Sequence, residues 1–200
     1  SMTGHQGWTT VHANSALAIA DRLVDLGLPI GMATDESVIT GLISQRLVKL
    51  LCPHCKCRLA GAPQEQDQAL AARVRRAVGA AFDRVFVQGP GCPYCAGRGT
   101  TGRTVVAEVI RPDAQFFAYL RDGNKRAALS YWLDHLGGRT IIEHTIEKVS
   151  AGLVDPRAAE RIVGPLVPRN EPVRLRPVES VDGGRFGSPG NAAVGADYDA

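Results

Sequence analysis

The residues best equipped for chemistry are four of the chain's five cysteines, because they fall into two evenly built pairs. Cys52-Pro53-His54-Cys55 is answered by Cys92-Pro93-Tyr94-Cys95. A Cys-x-x-Cys turn aims two thiolates at a shared point and frees backbone N–H groups to support the sulfurs. Two such turns complete a tetrahedron of four sulfurs, the geometry a structural Zn2+ prefers. The pairs are separated by 36 residues, more than the usual compact ribbon spacing, so an insert is expected between two knuckles. A redox pair would need a strand–motif–helix setting near a βαβ unit, which neither copy has. Disulfides would need an oxidising compartment, and no signal peptide is visible in the sequence. Cys57 is left over, too close to Cys55 to share an ordinary knuckle, and reads as a free thiol. His54, inside the first knuckle, is expected to point outward.

The glycine-rich run that follows the second pair, Ala96-Gly-Arg-Gly-Thr-Thr-Gly-Arg103, lets the chain turn tightly. Gly97-x-x-x-x-Gly102-Arg103-Thr104 nearly matches a phosphate-binding P-loop, but Arg103 stands where the phosphate-reaching lysine belongs. A P-loop also follows a strand and opens a helix. This run follows a cysteine knuckle and precedes the β-prone stretch Thr104–Ile110. It is rejected as a nucleotide site, and the sequence offers no other.

These residues need elements to hold them. Trp8–His12 is a short β-prone run, with Asn14 and Ser15 as caps for a helix over about 15–26 that stops at Gly27. A strand running into a helix is an α/β arrangement, in which ligands gather at the strand's carboxyl end and anions at the helix start; His12 sits at that edge. Asp35 is expected to open a second helix over about 36–51, with Ile39, Ile43, Leu47 and Leu50 on one face, delivering the chain into Cys52. Between the knuckles Glu65–Phe82 reads as helix and Val85–Val87 as strand. Arg73, Arg75 and Arg76 form a small basic cluster, read as a solvated face. Asp113 caps a helix over 114–121, Asn124 leads into about 125–136, Thr140 begins about 140–151, and Asp155-Pro156 opens about 156–164. His135 and His144 read as surface or core-edge histidines. From Pro165 onward the composition is that of a disordered tail.

Composition sets outer limits. A hydrophobic content of 44% and a mean hydropathy of −0.06 describe an ordinary globular protein. No apolar run approaches the ~20 residues that span a bilayer, so direct membrane insertion is not expected. A net charge of +3 is too slight to argue for nucleic acid.

Taken together, Thr3-Gly-His5 through Thr10-Val-His12-Ala-Asn14, then Leu42–Cys55, then Cys92–Arg103, resemble the C-terminal part of the type II secretion and type IV pilus assembly ATPases (the GspE/PilB-like family). The likeness runs from residue 3 to about 165 in consistent order, and Gly152 fits the family's closing helices. It implies an α/β fold: residues 1–51 as the trailing part of a RecA-like core, 52–103 as an inserted zinc subdomain, 104–165 as a strand and helical subdomain, 166–200 as tail. It implies a catalytic role for two histidines of the family's histidine box, His12 near the γ-phosphate or its attacking water and His5 supporting the box's shape. The zinc ligands implied are Cys52, Cys55, Cys92 and Cys95. ATP and Mg2+ are implied for the full-length protein, which works as a cytoplasmic homo-hexamer on inner-membrane platform proteins. The P-loop, the acidic metal-binding box and the general-base glutamate have no counterpart here, so these residues alone are expected to be inactive. Trp8 stands where an aliphatic residue is commoner in the family. The rival reading is a stand-alone zinc-ribbon module that binds protein or nucleic acid.

Overall fold

Ten residues decide the architecture, and they are strand rather than helix. In the computed structural model, which describes residues 7–60 and 65–168, Leu42–Leu51 forms strand β1. It pairs antiparallel with the strand Thr100–Ile110, with Leu42 opposite Ile110 and Lys49 opposite Arg103. The helix expected over 36–51 is therefore corrected. Its residues carry both periods, since Ile43, Leu47 and Leu50 suit a helical stripe while Leu42, Ser44 and Val48 alternate inward as in a strand. A long pairing partner elsewhere in the chain settles the choice, as tertiary context commonly does for short apolar runs. Asp35 caps a turn instead: its carboxylate accepts from the N–H and hydroxyl of Ser37 at 2.8 and 2.6 Å.

The other elements, in chain order, are helices α1 (Ile19–Asp25) and α2 (Ile30–Ala33), strand β2 (Cys57–Arg58), helix α3 (Glu65–Val78), strand β3 (Phe86–Val87), strand β4 (Thr100–Ile110), and helices α4 (Ala114–Arg121), α5 (Lys125–Asp134), α6 (Ile141–Ser150) and α7 (Pro156–Val163). Strand β2 pairs antiparallel with β3 to make a second small sheet. The described residues are thus a mixed α/β fold. Residues 7–13 form no strand among them, because a strand exists only through a paired neighbour. The first helix starts at Ile19, after a turn in which Ser15 Oγ accepts from Ala18 N–H, and it stops at Asp25, with Leu26 as its cap and Gly27 beyond it at φ +95°. The helices after residue 113 begin on the expected caps. Asp113, Asn124, Thr140 and Asp155 each accept from an N–H of the first turn.

The β1–β4 ribbon joins two cores. Leu42 and Ile110 at one end lie with Ala16, Phe116, Phe117, Trp132 and Leu133. Val48 and Val106 lie with Val74, Phe82, Ile146, Val149 and Val154, so α3, inserted between the knuckles, is anchored to α6 and α7. The second core also takes in Leu166, only 1% exposed, whose N–H donates to Glu160 Oε1 at 3.1 Å. Leu166 is therefore part of the core, where the composition implied a tail from 165 onward. Residues 169–200 lie outside the described residues, as does His5.

Candidate metal centre

Strand β1 leads directly into Cys52, and the geometry of the centre follows from that. Cys52 N–H donates to Gly99 O at 2.9 Å, tying the first knuckle to the loop after the second. Lys56 N–H returns to Cys52 O at 3.2 Å, closing the first turn. The second knuckle is a short 3₁₀ turn, Pro93–Cys95, in which Cys95 and Gly97 both donate to Cys92 O. Ala96 follows with φ 50° and ψ 48°.

The four sulfurs converge. Cys52 and Cys92 Sγ are 3.7 Å apart, Cys55 and Cys95 3.9 Å, and Cys92 and Cys95 3.8 Å, with all four within 4.8 Å of one another. Four sulfurs ~2.3 Å from a common tetrahedral centre lie ~3.8 Å apart. The donor set therefore forms a site that can bind a metal ion, with dimensions compatible with structural zinc. Cys52 and Cys95 are buried, and none of the five cysteines is bonded to another.

The electrostatics favour a cation as well. Burial works to raise the Cys95 thiol, but N–H donors from Cys92 at 3.2 Å and Gly99 at 3.1 Å outweigh it and bring it down to about 6. Burial and the neighbouring cysteines push Cys55 up to about 12. One thiolate forms readily, while four so close repel one another and need a divalent ion to coexist.

Glycines let the knuckles approach. A Cβ on Gly89 would collide with the Cys55 carbonyl, and one on Gly91 with Gly97. At Gly99, with φ +69°, a Cβ would meet Gly89 O at 2.6 Å. The near-P-loop run is thus occupied in bracing sulfur: Gly99 binds Cys95, and the chain passes into β4. The Gly-Pro-Gly and Gly-Arg-Gly spacing carried this signal in the sequence, although the particular contacts did not show.

Cys57 stays outside the cluster, exposed, with its Sγ 3.7 Å from Cys55 O. His54 points outward and its ring lies 4.3 Å from that of Tyr94. The lobe is fastened to the body through Lys56, whose Nζ donates to Gly152 O at 2.7 Å and sits over the Phe86 ring. Asp155 adds a second tie, its Oδ2 accepting from Gln88 N–H at 2.7 Å. Of the basic cluster, Arg73 is bound to Glu160 and Arg75 lies over the Phe82 ring. His135 stacks on Tyr131, and His144 Nδ1 accepts from Ala107 N–H at 3.1 Å. His12 is exposed, on the segment before α1.

Known proteins resemble this chain in sequence. The model of the family described as "Type II/IV secretion system protein" matches residues 1–164. The type II secretion system protein E of Pectobacterium carotovorum is 32% identical over 155 residues, 76% of this chain and 28% of that protein. The Pseudomonas aeruginosa protein of the same name is 36% identical over 110 residues, 55% of this chain and 20% of that protein. The type IV pilus assembly ATPase PilB of Thermus thermophilus is 28% identical over 154 residues, 76% of this chain and 16% of that protein. The chain thus spans less than a third of the length of each. With its matched region running from the histidine segment through both cysteine knuckles to the last helix, the chain belongs to the type II/IV secretion system protein family.

Proposed function

We propose that this chain is the zinc-bearing trailing part of a hexameric ATPase that powers type II secretion or type IV pilus assembly. The observation that carries the reading is the four-sulfur cluster at the mouth of the β1–β4 ribbon, within the region that matches the family. Residues 1–51 would complete a RecA-like core, 52–103 the zinc subdomain, and the later helices a closing subdomain. Cys52, Cys55, Cys92 and Cys95 would hold Zn2+, which supplies a cross-link between the two ends of the insert and no reaction chemistry. His12 would lie near the γ-phosphate or its attacking water, with His5 supporting it. Phosphoryl transfer also requires a phosphate cradle, Mg2+ and a group that orients water. The sequence offers no phosphate-binding loop to serve as that cradle, so these residues are not expected to hydrolyse ATP unaided.

The assembly would be cytoplasmic and docked on inner-membrane platform proteins. Among the described residues no helix is long and apolar enough to cross a membrane. The tying of Arg73 and Arg75 within the protein leaves little of the basic cluster for nucleic acid. Deleting the coding segment for these residues in the host, then measuring protein export and pilus extension, tests the reading. Loss of one of the two is expected, and a strain with both intact would refute it.

A further inference from the structure

The inner face of the β1–β4 ribbon grips the segment that carries His12. Glu108 of β4 accepts Ala16 N–H through Oε2 at 2.9 Å and Ile141 N–H through Oε1 at 3.3 Å. On β1, Arg46 Nη2 donates to Asn14 O at 3.4 Å. Asn14 and Ala16 follow His12 by two and four residues, and Ala16 is fully buried in the core beside Leu42 and Ile110. The chain leaving the histidine is therefore fastened to both strands before α1 begins.

An apolar residue would serve the ribbon's core-facing side better than a carboxylate. Val106 and Ile110, on the same face, are both fully buried. A half-buried carboxylate loses hydration and is tolerated where donors replace the lost water. Glu108 recovers two such bonds, and both come from the starts of other segments.

We propose that Glu108, assisted by Arg46, is a positioning residue that sets the place of His12 relative to the zinc-bearing ribbon. The proposal rests on the reading of His12 as the group beside the γ-phosphate. Neither Glu108 nor Arg46 is assigned contact with ATP.

Glu108→Gln keeps the shape and replaces one of the two acceptor oxygens by an NH2 group. In the 200-residue chain, Ala16 amide exchange should speed up roughly tenfold, the scale of one lost charge-assisted hydrogen bond. The His12 imidazole resonances should shift while zinc content stays unchanged. Unaltered Ala16 exchange and His12 resonances in both Glu108→Gln and Glu108→Ala would overturn the proposal. In the full ATPase, Glu108→Gln should lower kcat about tenfold with KM for ATP held within about twofold, a loss of the same scale. Combined with His12→Ala it should cost nothing further, because Glu108 acts through His12. An equal loss in the His12→Ala background would mean a general structural role and would also sink the proposal. Full activity of His12→Ala itself would instead remove the catalytic reading of His12, and with it the catalytic consequence of the clamp. The exchange data would then report only whether Glu108 holds the segment.

Discussion

Cys52 and Gly99 are bonded backbone to backbone at 2.9 Å, while Gly99 N–H donates to Cys95 Sγ at 3.1 Å. One residue thus binds the first knuckle with its carbonyl and the second with its amide. Gly99 has φ +69° and no room for a Cβ beside Gly89 O. Gly99→Ala should therefore cost roughly 3 kcal/mol or more, from left-handed backbone strain plus a backbone clash. Zinc retention against a competing chelator and the thermal midpoint both report it, and a variant matching the parent in both would show that the two knuckles are not joined through this residue.

About one zinc per chain should be found by elemental analysis of protein purified without chelator, because the four sulfurs form a closed site. Cys52→Ser should loosen residues 52–103 yet leave α4 and α5 folded, since their core of Phe116, Phe117 and Trp132 contains no cysteine. Circular dichroism and amide exchange follow this directly. Collapse of all helical signal in the variant would place the domain boundary elsewhere.

Arg73 and Glu160 connect α3, inside the insert, to α7 through bonds of 2.8 and 3.3 Å. Burial acts to raise the Glu160 carboxyl, but the Arg73 guanidinium and Leu166 N–H outweigh it and hold it low. The pair is partly exposed, so Arg73→Ala should cost only about 0.5–1 kcal/mol. Glu160→Ala should cost more, about 1–2 kcal/mol, because Leu166 N–H loses its acceptor as well. Urea midpoints of both variants and the double variant give the coupling between them; equal costs would argue against the Leu166 contact.

The four helices after Asp113 were legible because each start carries its own local signal, a cap at Asp113, Asn124, Thr140 or Asp155 followed by apolar spacing. The convergence of the four cysteines was legible for the same reason, since two residues between cysteines suffice to describe a knuckle. Strand β1 was not. Leu42–Leu51 satisfies helical and strand periods at once, and what decides it is Thr100–Ile110, some fifty residues away along the chain. Leu166 was missed because two apolar residues between prolines give no period, yet Glu160 and the core beneath α7 hold it. Glu108 was passed over too. A lone carboxylate in a β-prone run reads as surface until the two amides it serves are known.

His144 provides the last test. Burial, followed by the charge of Arg139, holds this half-buried imidazole down at about 4, against an ordinary 6.5, while its ring nitrogen accepts Ala107 N–H. The unfolded chain takes up a proton below about 6.5, whereas the folded chain resists until about 4. Between these values the unfolded state binds more protons, so stability rises with pH across that window and falls as the solution is acidified through it. The contribution is complete above pH 6.5 and should amount to roughly 1–2 kcal/mol after discounting for the solvent-facing half of the ring. His144→Asn keeps an acceptor for Ala107 and removes the titration. Because other groups also respond to acid, the informative quantity is the difference in urea midpoint between parent and variant at pH 4.5 and pH 7. The parent should lose more stability than His144→Asn on acidification, and identical losses would show that the His144–Ala107 bond does not couple folding to pH.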